Sequence, residues 1–202
     1  MTKGAPLLVL ASGSASRAAL LRRAGLCFET EAAAIDETEI KASFRAEGSK
    51  ATDCAVALAE AKATSVSRRR PGALVIGADQ ILVCNGAWFD KPPDRAAASD
   101  QLRSLRGCRH ELVSAVCVVE NGARLWRFVD CPRLTMRAFT DDFLADYLAA
   151  AGDEILASVG AYQLEGLGVQ LFAEVDGDFF SILGLPLLPL LEFLRGRGVV
   201  TR

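Results

Sequence analysis

His110 is the only imidazole in this 202-residue chain, so a serine or cysteine triad would have to be built around it, and no G-x-S-x-G turn accompanies it. Six cysteines are spread singly, without a C-x-x-C pair, which is not zinc-site spacing. The glycine loops that commonly cradle phosphates or dinucleotides, G-x-x-x-x-G-K-[ST] and G-x-G-x-x-G, are missing as well. What remains for catalysis is carboxylate, lysine and a hard metal ion.

The residues that could carry such chemistry fall in short segments. Ser12, Ser14, Ser16 and Arg17 lie together at the carboxyl end of an aliphatic run and the start of a helical pattern. Helix N-termini bind phosphate through their free N–H groups, and hydroxyls with an arginine would complete an oxyanion cradle; a serine-capped helix with an exposed arginine accounts for the same residues. Asp79, in Gly77-Ala78-Asp79-Gln80, ends a Val-Ile run where a carboxylate is poorly solvated. It needs a cation, hydrogen-bond donors or work as a base, unless it is a turn aspartate.

Asp90-Lys91-Pro92 follows another strand pattern, with Pro92 keeping the preceding backbone extended. The chain uses 18 Arg but 5 Lys, which sets Lys62 and Lys91 apart from interchangeable surface charge. Lysine acts on phosphate as a point charge, arginine as a planar fork. The acidic stretch with Asp36, Glu37 and Glu39 reads as a loop, either merely solvated or holding magnesium through one or two oxygens. Polar side chains among the glycines of Tyr162-Gln163-Leu164-Glu165-Gly166-Leu167-Gly168, followed later by Gly184-Leu185-Pro186, could read a base edge or simply turn the chain.

The elements that must position these residues follow from hydrophobic period and turn residues. Leu7–Leu10 reads as a buried first strand rather than the core of a secretory leader, and a helix follows from Arg17 to Ala24, capped by Ser14 or Ser16 and stopped at Gly25. Cys27–Ala32 reads as a short strand and Thr52 to Val66 as a long helix. Ala73–Ile76 and Ile81–Cys84 read as two strands divided at Gly77-Ala78-Asp79-Gln80, and Asp94–Leu105 as a helix. Leu112–Val119 and Ala123–Val129 flank Asn121-Gly122, the clearest hairpin, whose second strand is open to extension as far as Arg137. A helix runs from Thr140 through Ala150. Val169–Glu174 and Phe179–Leu183 read as a second hairpin about Asp176-Gly177, and a last helix runs from Pro186 to Arg195. Strands alternating with helices, with hairpins interspersed, predict an α/β fold with a mixed sheet and flanking helices.

Composition bounds the partners. A formal charge of −2, from 23 basic and 25 acidic residues, argues against coating nucleic acid or an anionic membrane, so an anionic partner should be small and held locally. The apolar stretch Ile182–Leu194 carries Pro186, Pro189 and Glu192 and is too short to span a bilayer. Unpaired cysteines inside apolar runs suit a reducing compartment, the cytoplasm.

Taken together, the segments resemble the Maf family of nucleoside triphosphate pyrophosphatases, related in fold to the inosine triphosphatase group. The likeness runs through Leu8-Val9-Leu10-Ala11-Ser12-Gly13-Ser14 with Arg17, Asp36-Glu37, Ala59-Glu60-Ala61-Lys62-Ala63, Gly77-Ala78-Asp79-Gln80 and Asp90-Lys91-Pro92. It continues through Leu105-Arg106-Gly107 with His110, Ala161-Tyr162-Gln163-Leu164-Glu165-Gly166 and Gly184-Leu185-Pro186-Leu187, all in the same order. The resemblance implies one elongated domain over residues 1–202, with two lobes around a central cleft. It implies hydrolysis of nucleoside triphosphates, modified or noncanonical ones included, to the monophosphate and pyrophosphate, with Mg²⁺ or Mn²⁺ as cofactor.

On the matching positions the resemblance implies that Asp79 is the proton acceptor, that Glu37, Lys62 and Lys91 complete the catalytic cluster, and that Glu37 and Asp79 are the metal candidates. Ser12, Ser14 and Arg17 are phosphate contacts. Base choice falls to Ser16, Gln80 and Glu165. Gln80 and Glu165 match the branch acting on 7-methyl-GTP, since a carboxylate accepts from the N1–H and N2–H₂ edge of guanine but repels the carbonyls of uracil or thymine. Ser16 departs from the tryptophan of that branch and from the arginine of the pyrimidine branch, and Ala15 replaces a proline favoured by both. The partner expected is a small nucleotide, with no nucleic acid and no membrane, and a homodimer by family analogy. The rival reading is a nucleotide-binding regulator of septum formation, whose mark would be loss of Asp79, Lys62 or Lys91; all three are present.

Overall fold

The computed structural model describes residues 6–200. Its strands are β1 (Leu8–Leu10), β2 (Glu29–Thr30), β3 (Leu74–Cys84), β4 (Ala87–Phe89), β5 (Arg109–Glu120), β6 (Ala123–Asp130), β7 (Arg133–Met136) and β8 (Phe172–Asp176). They hydrogen-bond in the order β2-β1-β3-β5-β7-β8, with β4 on β3 and β6 on β5. The α-helices are α1 (Ala15–Arg23), α2 (Glu37–Ala46), α3 (Ala51–Ser67), α4 (Arg95–Leu105), α5 (Asp141–Ala151), α6 (Phe179–Ile182) and α7 (Leu187–Gly196). This is the mixed α/β architecture expected from the sequence. The chain divides into two compact units, Met1–Asp79 with Ser114–Asp130 and Gly184–Arg202, and Gln80–Val113 with Cys131–Leu183.

In the first unit β1 lies parallel to β2 and to β3, with Leu8, Val9 and Leu10 opposite Leu74, Val75 and Ile76. These residues are almost wholly buried, which explains why they read as unbroken aliphatic runs rather than as alternating patterns. Helix α3 packs on this sheet through Ala59 and Ala63, both small and fully buried. Its approach is so close that a Cβ at Gly77 would sit 2.0 Å from the Ala59 carbonyl oxygen and 2.9 Å from Ala63 Cβ. Gly77 is therefore not the strand breaker that its neighbours suggested. It is a point of backbone contact inside β3, which runs without interruption from Leu74 to Cys84.

The second unit builds its own core from Leu82, Leu102, Leu105, Leu112, Leu134, Tyr162 and Leu171 among others. His110 is buried there, 2.8 Å from the Tyr162 hydroxyl through Nε2, with Phe172 packed against both rings. Burial lowers its pKa to about 4, so the ring is neutral in the folded protein.

Several local expectations are corrected. The acidic stretch read as a loop is the start of α2: Asp36 caps it by accepting from the Glu39 amide at 2.9 Å, and Glu37 and Glu39 sit at the positive end of the helix dipole. No residue of α2 is fully buried, and its apolar side is short, with Ile40 and Phe44 one turn apart and both half-buried. Phe179–Leu183 is not a strand, because Asp178 accepts from the Ser181 amide at 2.7 Å and caps α6. Asp176-Gly177 is accordingly a strand-to-helix turn, with Gly177 at φ 123° packed on Pro132. Val169–Leu171, the first half of another expected strand, belongs instead to a 3₁₀ turn, Leu167–Leu171, that precedes β8. The strand after Asn121-Gly122 ends at Asp130, since Pro132 has no N–H to continue the ladder, and β7 begins anew at Arg133. No helix among the described residues is long and apolar enough to cross a membrane.

Two outcomes are expected. Gly77→Ala should lower unfolding free energy in urea by about 3 kcal/mol or more, the cost of forcing a methyl against a main-chain oxygen; a wild-type midpoint would refute the close approach. For His110 the folded pKa lies below the unfolded one, so the unfolded chain takes up the extra proton as pH falls from about 6.5 toward 4. Relative to His110→Gln, the wild type should therefore lose roughly 2–3 kcal/mol across that window in denaturation experiments. A pH-independent difference would contradict a buried neutral ring.

Candidate active site

Ser12 and Ser14 leave β1 and enter α1 through a tight set of hydrogen bonds. The Ser12 hydroxyl accepts from the Ser14 amide at 3.2 Å, and the Ser14 hydroxyl accepts from the Arg17 amide at 3.4 Å as the N-cap. Of the two serines considered for that cap, Ser14 is the one used. Ser16 is half-buried in the first turn. Arg17 is not the exposed arginine of a plain capped helix. Its side chain turns inward, 9% exposed, and donates from Nε to the Gly184 carbonyl at 2.8 Å and from Nη1 to the Ala78 carbonyl at 3.0 Å and to Ser12 Oγ at 3.3 Å.

Lys62 projects from α3 one position before Ala63, so the Ala59/Ala63 contact with Gly77 brings its ammonium to the face of β3 that carries Asp79, two residues beyond Gly77. Lys62 Nζ donates to Asp79 Oδ1 at 2.7 Å, with the two side chains only 9% and 6% exposed. The same Nζ lies 2.9 Å from Glu37 Oε2, on the first turn of the unexpected helix α2; that glutamate is half in solvent at 46%. One lysine thus bridges two carboxylates drawn from a loop-capped helix and a central strand. Asp79 Oδ2 is buried and has no hydrogen-bond partner among the described residues. A buried carboxylate oxygen without a donor is costly, and it points to a ligand the site is built to receive.

Burial lowers the Arg17 pKa from its usual value, while the charges of Asp79 and then Glu37 raise it again. A guanidinium stays protonated through such opposition. The four charges Arg17, Lys62, Glu37 and Asp79 sum to zero.

Ser12, Ser14, Arg17, Glu37, Lys62 and Asp79 are brought together in the first unit. Gln80, Lys91 and Glu165 belong to the second. Lys91 is exposed just after β4, in a loop where the Asp90 carbonyl accepts from Gln101 at 2.8 Å. Glu165 is exposed in the turn before the 3₁₀ segment Leu167–Leu171. Gln80 directs its amide nitrogen to the carbonyls of Ser181 and Ile182 at 3.1 and 3.0 Å, which gives it a bracing role in that unit. The sequence reading missed the main-chain oxygens of Ala78 and Gly184 as partners of Arg17. The glycines beside them were visible, but a carbonyl leaves no mark of its own in a sequence.

Comparisons with known proteins find relatives over nearly the whole chain. The family model described as Maf-like protein matches residues 7–197. A nucleoside triphosphate pyrophosphatase of Granulibacter bethesdensis is 52% identical over 194 residues, covering 96% of this chain and 98% of its own. One from Paramagnetospirillum magneticum is 54% identical over 190 residues, covering 94% and 98%. A 7-methyl-GTP pyrophosphatase of Rhizobium meliloti is 49% identical over 195 residues, covering 96% and 98%.

The buried pair generates a specific expectation. Lys62→Met should destabilise the fold by about 3–5 kcal/mol, because it strands the Asp79 charge in the interior. In the double variant with Asp79→Asn the loss should be markedly smaller than the sum of the two single losses, as read by a urea double-mutant cycle. Strict additivity would mean that the two side chains do not interact as described.

Proposed function

This chain belongs to the Maf-like protein family, and from that premise we propose that it hydrolyses nucleoside triphosphates to the nucleoside monophosphate and pyrophosphate. The observation that carries the reading is Asp79: Lys62 holds Oδ1 at 2.7 Å and so orients the carboxylate, while Oδ2 is left as an acceptor with no other partner among the described residues. An acceptor held in that way suits a water molecule. As the water oxygen bonds to the α-phosphorus, its proton passes to Asp79 and the bond from that phosphorus to the bridging oxygen breaks, releasing pyrophosphate.

Negative charge grows on the phosphoryl oxygens and on the departing group. The ammonium of Lys62 and the helix α1 N-terminus with Ser12 and Ser14 supply donors to that chemistry. Yet the charged cluster sums to zero on its own, so it offers a triphosphate little net attraction. That balance supports a need for an added cation. Glu37 and Asp79 offer hard carboxylate oxygens, one of them the unpartnered Oδ2, and these fit Mg²⁺ or Mn²⁺. Among the described residues no group of three or more His, Cys, Asp or Glu gathers to hold a metal, so the substrate's own phosphates and water would complete the shell. When bound, such an ion neutralises phosphate charge and polarises the phosphorus toward attack.

Lys91 is assigned to the departing pyrophosphate, and Ser16, Gln80 and Glu165 to the base, on residue type and family likeness. The Glu165 carboxylate supports a guanine-type edge, with 7-methyl-GTP as the first candidate. A cytoplasmic setting is supported by the cysteines, six thiols of which none is in a disulfide and three are buried.

The test is direct. Purified protein with Mg²⁺ or Mn²⁺ should release pyrophosphate, not inorganic phosphate, from at least one of 7-methyl-GTP, GTP, dTTP, UTP and CTP. Asp79→Asn should reduce turnover by roughly 10³-fold or more with the far-UV circular dichroism unchanged. Release of orthophosphate instead, or near-normal turnover by the variant, would refute the assignment.

A further inference from the structure

Strand β1 pairs with β3 only as far as Leu10 opposite Ile76, and the last main-chain bond of that ladder runs from the Ala11 amide to the Ile76 carbonyl at 2.8 Å. In a parallel ladder the next carbonyl of β3 facing the same neighbour is two residues on, at Ala78. By then the chain has left the sheet through Ser12 and Gly13 to begin α1, so no strand amide reaches that oxygen. Arg17 Nη1 takes its place at 3.0 Å. The acceptor it satisfies belongs to the peptide that leads directly into Asp79.

The rest of the guanidinium is equally committed. Nε–H is used by the Gly184 carbonyl, and Nη1 serves both Ala78 and Ser12. Of the five N–H donors of an arginine, three are thus directed at protein oxygens, and only the pair on Nη2 has none assigned. A bidentate grip on phosphate needs two adjacent nitrogens with free hydrogens, and this arrangement leaves only one nitrogen.

We infer that Arg17 is a positioning residue, a side-chain extension of the sheet that fixes the peptide before Asp79, rather than the phosphate-binding fork its place in the serine-rich turn suggests. The inference rests on the pyrophosphatase reading for its kinetic consequences. Planarity matters more than charge in this role. A lysine at position 17 keeps the positive charge but concentrates its donors at one point, and cannot meet carbonyls on two separate segments and a hydroxyl in one plane.

The experiment compares wild type with Arg17→Lys, both checked by thermal melting, on whichever triphosphate the wild type cleaves best. With the carboxylate misplaced, kcat should fall about 100-fold, while KM and the calorimetric Kd for inorganic pyrophosphate stay within about threefold. A variant that retains kcat, or one in which KM or the pyrophosphate Kd rises tenfold or more, overturns the inference in favour of phosphate contact. Because Arg17→Lys could fold poorly, a second measurement uses the intact wild type. In ¹⁵N NMR the Arg17 Nε–H signal should already be protected from solvent exchange without ligand and should stay unchanged on adding pyrophosphate. Fast exchange that is quenched only by pyrophosphate overturns it as well. Wild-type protein that releases no pyrophosphate refutes the functional reading, and the NMR result still decides the role of Arg17.

Discussion

Lys62 and Asp79 meet at 2.7 Å with both side chains almost wholly buried. Taking both charges out of solvent is expensive, and their attraction offsets the cost only when the geometry is close and the remaining lone pairs are occupied. The helix must therefore come near enough to the strand for the ammonium to touch the carboxylate, yet remain packed along its length. Small residues on both sides meet that demand: Ala59 and Ala63 on α3, Gly77 on β3. The first unit's packing and its electrostatics are the same constraint seen twice.

A second carboxylate joins from outside the core. Glu37 stands in the first turn of a surface helix capped by Asp36, and it shares the Lys62 ammonium while remaining half in solvent. This gives the lysine two partners of different character, one rigid and buried, the other on the surface. A rigid partner holds a charge in place, whereas an exposed one can exchange it for another ligand at little cost. The neutral balance of the cluster follows from the same arrangement, and with it the need for outside charge when a polyanion binds.

Much of the site was legible because its residues belong to types that seldom sit idle in such company. A carboxylate after Val75-Ile76 and a lysine in an arginine-rich chain both stand out by residue type alone. Strand β1 and the two ends of β3 were legible because burial on both faces leaves continuous aliphatic runs. Helix α2 was not, since its apolar side amounts to little more than Ile40 and Phe44, and an aspartate followed by acids also describes a loop. The 3₁₀ turns from 152 to 171 were missed for a similar reason: short turns of that kind have no hydrophobic period long enough to register. Gly77 misled in a more instructive way. A glycine beside polar residues signals a turn when read locally, but here it answers to a helix ten or more residues away in the chain.

Residue type and order were enough to establish the chemistry on offer, the family likeness, the alternation of strand and helix, and the segments that supply the charged groups. Tertiary structure alone decided how those groups divide their bonds. It made Arg17 a partner of two main-chain carbonyls, gave Gln80 carbonyls of its own to brace, and left Asp79 Oδ2 as the oxygen with nothing yet to hold. The reason is physical. A side chain carries its identity in the sequence, but a peptide oxygen has none; whether it needs a partner depends on where a neighbouring strand stops, and that is a property of the folded sheet.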